Sequence, residues 1–110
     1  MTGGAASRRK GCAGEVEARA ILAERDYEII ETSRGRAVED IIAEKDGKRF
    51  AVEVKNTASL AIAAVRRQAK EQARKRGCAW LLMWRIEGYP RTFYVEGTDR
   101  DPCVWRGASS

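Results

Sequence analysis

The 110-residue sequence contains no histidine. Without an imidazole it cannot build a Ser-His-Asp triad, an HNH-type site or a histidine-containing zinc site. Its three cysteines, Cys12, Cys78 and Cys103, are odd in number, widely spaced and without a CxxC pair. That excludes a disulfide framework and a thiolate zinc site, and reads as reduced thiols in an intracellular protein. No apolar run approaches the ~20 residues of a membrane span. The longest, Cys78 to Trp84, has the length of a strand. Residues 1–10 are Gly, Ala and Ser followed by the basic triplet Arg8-Arg9-Lys10, without the apolar middle of a secretory signal. They read as a flexible basic lead.

Hydrophobic residues make up 44% of the chain and charged residues 34%, the balance of an ordinary globular domain. The length suits one domain, expected over 11–97, with a weakly patterned tail over 98–110 onto which Val104 and Trp105 could dock. Lys and Arg total 21 against 16 Asp and Glu, a net charge of +5. A small basic domain points towards a polyanionic partner, nucleic acid first.

Hydrophobic periodicity predicts a helix over 13–25, with Ala18, Ile21 and Leu22 facing a core. Glu15 lies three residues before Ala18, at the edge of that apolar stripe, where a solubilising charge is out of place. Tyr27 to Thr32 reads as a first strand and Ser33 to Arg36 as a loop. Asp40 to Lys45 and Lys48 to Lys55 read as two strands around Asp46-Gly47, a dipeptide favoured in type I′ hairpin turns. Leu60 to Arg76 reads as a second helix, with Ile62, Val65, Ala69 and Ala73 as its core stripe and Gly77 ending it. Ala79 to Ile86 is apolar on both alternating faces, as in a buried strand. Arg91 to Glu96 is the last predicted strand. The helix between the third and fourth strands makes them parallel neighbours, and the hairpin makes the neighbouring part of the sheet antiparallel. The expected fold is α/β, a mixed five-stranded sheet flanked by helices in the order αβββαββ.

A two-residue turn dictates the hairpin register. It pairs Lys45 with Lys48, then Glu44 with Arg49, Ala43 with Phe50, Ile42 with Ala51, Ile41 with Val52 and Asp40 with Glu53. Phe50, Val52, Ala43 and Ile41 share a core face. Asp40, Glu53 and Lys55 share the other, because strand side chains alternate. Like charges directly opposed across a sheet destabilise it, so two facing carboxylates need a reason. A divalent cation supplies one, since Mg²⁺ favours hard carboxylate oxygens and phosphate. Lys55 would orient a water or stabilise charge developing on a phosphodiester. An exposed ion-pair cluster would use the same residue types, and Arg49 opposite Glu44 fits that plainer description.

Glu39-Asp40, twelve intervening residues and Glu53-Val54-Lys55 resemble the PD-(D/E)XK nuclease pattern, with Glu39 at the customary proline. Within that superfamily the chain looks most like the archaeal-type Holliday-junction resolvases, from about Arg9 to Glu96. The resemblance rests on Arg9-Lys10-Gly11 followed by Glu15, on Thr32-Ser33-Arg34-Gly35-Arg36, on Asp40-Ile41-Ile42-Ala43 and on Glu53-Val54-Lys55-Asn56-Thr57. Val16 follows Glu15 where the family commonly has arginine.

The resemblance implies a restriction-endonuclease-like core and a homodimer acting on four-way DNA junctions. It also implies Mg²⁺, with Mn²⁺ as a substitute, at a site served by Glu15, Asp40 and Glu53, with Lys55 catalytic. Relatives with VRR-NUC domains and restriction or repair nucleases share this core, as would a non-catalytic nucleic-acid-binding module. Some relatives carry a glutamine on the second helix, to which Gln68 or Gln72 could correspond, although a solvated glutamine is the preferred reading of either.

Cations that could track DNA phosphates are Arg8, Arg9 and Lys10, the loop residues Arg34 and Arg36, and Arg66, Arg67 and Lys70 on the second helix. Ordinary solvation accounts equally for the helix cations. Trp80, Trp84 and Tyr94 read as core or interface residues rather than base-stacking platforms.

Overall fold

The turn at Asp46-Gly47 has both central residues at positive φ, 53° and 78°. This is the combination a type I′ hairpin needs, and its twist matches that of the flanking strands. The turn joins β2 (Glu39–Lys45) to β3 (Lys48–Lys55). The observed pairs run from Lys45↔Lys48 to Asp40↔Glu53, the register expected from the sequence. The structure is a computed structural model that describes residues 3–34, 39–55, 61–98 and 100–108, with side chains described for 14–30, 41–55, 61–98 and 100–108.

The remaining elements are α1 (Gly3–Glu24), β1 (Glu28–Arg34), α2 (Ile62–Arg76), β4 (Ala79–Arg85), β5 (Thr92–Gly97) and β6 (Arg100–Arg106). The six strands lie in chain order β1 to β6 across one sheet. Among the described residues only β3 and β4 are parallel, joined by the α2 crossover as expected. Gly77 closes α2 in the left-handed region at φ 65° and donates its N–H to the carbonyls of Ala73 and Arg74.

Alternation in the strands separates two helix layers. Ile41, Ala43, Phe50, Val52, Leu81, Met83, Phe93 and Val95 form the main core with Ala18, Ile21 and Leu22 of α1. The opposite face carries Ile42 and Ala51 against Ala73 of α2. Helix α2 therefore covers the face on which Glu53 stands.

Two expectations need correction. The helix expected over 13–25 has helical backbone from Gly3 to Glu24. The expected five-stranded sheet has a sixth strand, because the stretch read as a tail pairs with β5. Trp105 explains that docking. It is 6% exposed, its ring is 6.0 Å from that of Tyr27, and the guanidiniums of Arg25 and Arg100 each lie 4.7 Å from its centroid. A large aromatic ring flanked by two cations gains both burial and cation–π attraction. Among the described residues no helix is long and apolar enough to cross a membrane.

Candidate active site

Register alone places Asp40 beside Glu53 as Cα partners on adjacent antiparallel strands. The side chain of Asp40 lies outside the described residues. Glu53 is buried, with only 2% of its side chain exposed, in a strand flanked by β2 and β4 and covered by α2. Lys55 lies two residues along the same face, and its Nζ is 3.2 Å from Glu53 Oε1. A carboxylate this deep is costly unless a cation answers it, and Lys55 does so. Lys55 keeps 17% of its side chain exposed, more than the carboxylate it pairs with.

The rows running across the sheet extend this site. One row is Asp40, Glu53, Leu82 and Glu96 on β2 to β5. The next is Lys55, Trp84, Tyr94 and Val104 on β3 to β6. At the far end of the first row is an arrangement that the sequence reading missed. Glu96, 4% exposed, accepts hydrogen bonds from both Arg66 Nε and Arg66 Nη2, the latter at 3.1 Å, and from the Tyr94 hydroxyl. The Arg66 hydrogen bonds hold the Glu96 carboxyl below the usual glutamate range, more than offsetting its burial, and the Tyr94 hydrogen bond adds to them. Burial first, and then the bond to Glu96, pushes the Tyr94 phenol up. The Glu96 pairing raises the Arg66 guanidinium further. The alternation of Thr92 to Gly97 puts Tyr94 and Glu96 on the face opposite Phe93 and Val95. Only the β4–β5 register brings them under α2.

Other predicted site residues are less closely gathered. Glu15 is buried, 8% exposed, one turn before Ala18. It belongs to α1, whose core stripe packs on the opposite face of the sheet from Glu53 and Lys55. Among the described residues no three His, Cys, Asp or Glu side chains form a metal-holding group. Asp40 is not one of those residues.

The side chains of Arg8, Arg9, Lys10 and Arg34 lie outside the described residues, as does the whole of Arg36. Arg66, expected among the phosphate-tracking cations, directs its guanidinium at Glu96 instead. Arg67 and Lys70 are exposed, with Lys70 Nζ 5.3 Å above the Trp80 ring. Gln68 and Gln72 are half-buried on α2.

Trp84 is half-buried and helps to line an open cavity of about 340 Å³, together with Ile62, Arg85, Ile86, Glu87 and Tyr94. The chain matches no family model, no curated protein and no solved structure.

Proposed function

We propose that the chain is a Mg²⁺-dependent, structure-selective DNA endonuclease that resolves four-way junctions as a homodimer. The observation that carries this reading is the buried Glu53, register partner of Asp40, with the Lys55 ammonium at 3.2 Å. The order α1, β1 to β3, α2, β4 agrees with a restriction-endonuclease-like core built around that hairpin. The net charge of +5 suits a polyanionic substrate.

The donor set fits a hard cation. Glu53 and its register partner Asp40 offer carboxylate oxygens, and the chain has no histidine to favour a softer metal. Glu15 does not share their face, since α1 packs in the other layer. A divalent ion bound there would polarise a phosphodiester and acidify a bound water. The protein groups do the rest. Glu53 fixes the position of Lys55. Lys55 then donates to the attacking water or to the oxygen on which negative charge accumulates, a contact that strengthens towards the transition state. Burial of Glu53 limits competing water on the carboxylate side of that ion pair.

The test is cleavage of a labelled four-way junction, splayed fork, linear duplex and single strand, each with Mg²⁺, with EDTA and with the Asp40→Asn protein. Paired symmetric nicks in the junction alone, lost in both controls, are the expected result. Equal cleavage of linear duplex would discard junction selectivity. Tight binding with no cleavage under Mg²⁺ or Mn²⁺ would overturn the enzymatic reading.

A further inference from the structure

The cavity beside the candidate site has chemistry of its own. Trp84, on its wall, is the Cα partner of Lys55, and Tyr94 is the Cα partner of Trp84. Neighbouring strands are ~4.8 Å apart, so the backbone that carries Trp84 lies one strand spacing from that of the lysine. Ile62, at the start of α2 and 37% exposed, forms another wall.

The polar groups of the lining are mostly engaged elsewhere. The Tyr94 hydroxyl donates to Glu96, and Arg85 Nε lies 2.8 Å from Glu17 Oε2. Glu87 is exposed and adds negative charge beside the opening, which disfavours a phosphate inside the groove. What remains is an apolar, partly aromatic slot with a cation one strand away. A flat, uncharged ring covalently tied to a phosphate matches that pattern. The volume lies at the lower end of small-ligand sites, enough for one such ring.

We infer that this groove is a nucleobase subsite. It takes one unstacked base of a strand whose phosphate lies at Lys55, with Trp84 as the stacking surface. The placement of the phosphate rests on the endonuclease reading; the aromatic slot does not. Continuous duplex keeps its bases stacked and paired, so the groove selects branch points and single strands. Among the described residues the lining offers few polar groups, so the subsite tolerates any base.

Binding of a fluorescent single strand, a four-way junction and a linear duplex by anisotropy in EDTA tests this without cleavage. Trp84→Ala is expected to weaken single-strand and junction binding roughly five- to hundred-fold, the range of one lost base–aromatic stack. Duplex binding is expected to stay within about twofold, and Trp84→Phe to recover most of the loss. A scan of single abasic positions through the oligonucleotide, with the unaltered protein, is expected to reveal one position that weakens binding and that loses its effect in Trp84→Ala.

Equal losses on all three DNAs, or no sensitive abasic position, would overturn the subsite. So would a Trp84→Ala protein that changes from dimer to monomer by light scattering with no base dependence, because a second copy of the chain would then occupy the groove. Base-dependent binding without any nuclease activity would refute the endonuclease reading and leave the subsite standing. Cleavage with base-insensitive binding would do the reverse.

Discussion

Replacing Asp40 by asparagine is expected to stabilise the metal-free protein while abolishing cleavage. Asp40 and Glu53 are direct cross-strand partners, and opposed like charges cost up to ~1 kcal/mol. Lys55, 3.2 Å from Glu53, offsets part of that repulsion, so a gain of about 0.5 kcal/mol is expected. For a chain of 110 residues the unfolding entropy near the midpoint is about 0.23 kcal/mol/K, which turns this into a rise of about 2 °C. Mg²⁺ reverses the order. At ten times its Kd a bound ion adds about 1.4 kcal/mol to the unaltered protein, or about 6 °C, while the variant has lost a ligand. Differential scanning calorimetry in EDTA and across a Mg²⁺ titration reads both effects, and the two melting curves should cross. A variant that melts at or below the parent in EDTA, and responds to Mg²⁺ as the parent does, would refute the reasoning that this carboxylate pair is held together for a cation.

Lys55→Ala is expected to slow junction cleavage by about 10²–10³-fold, the usual effect of removing one transition-state donor, measured under single-turnover conditions. Glu96 has a carboxyl held low by Arg66, so the folded protein resists its protonation; its stabilising effect is complete above the ordinary glutamate value of about 4.3 and fades as pH falls through the lower folded value. Urea midpoints from pH 7 to pH 3 should therefore decline less steeply for Glu96→Gln than for the parent. Gly97→Ala would set a Cβ 2.7 Å from the Trp80 carbonyl oxygen, and urea unfolding should register a loss of about 1–3 kcal/mol. Trp105→Ala, at a residue 6% exposed in β6, should cost about 3–5 kcal/mol by the same assay; a loss below about 1 kcal/mol would mean that β6 is dispensable.

How much of this was legible from the letters depends on how local each determinant is. The β2–β3 hairpin was readable because two residues set its register, and the Asp40–Glu53 opposition came with it. The parallel β3–β4 pair was readable from a helix-length insert between two strands. Strand β6 was not. Arg100 to Arg106 carries a proline, and only Trp105 in it is fully buried, so no clear alternation marks an edge strand. Helix α1 starts at Gly3 against the propensity of its two opening glycines. Arg66 looked like one solvated cation among several because its partner, Glu96, lies 30 residues away and meets it only after α2 packs on the sheet. Trp84 looked like core because strand β4 is apolar on both faces. Its half-buried position emerges only once α2 is packed on the sheet, with Ile62 beside it.

The Asp46-Gly47 turn also acts as a parity device. Asp40 sits six residues before it and Glu53 six after, roughly 20 Å along each strand from the residues that do the turning. One residue inserted there, if β3 keeps its place against β4, would shift β2 by one step and offer Ile41 or Glu39 to Glu53 in place of Asp40. Every β2 side chain would change layer with it, so that Glu44 would face Phe50, or Asp40 would face Val52, in the main core. The apolar layer thus rejects the slipped register that would take the opposed carboxylate away, and core and turn together guard the chemistry of a remote site.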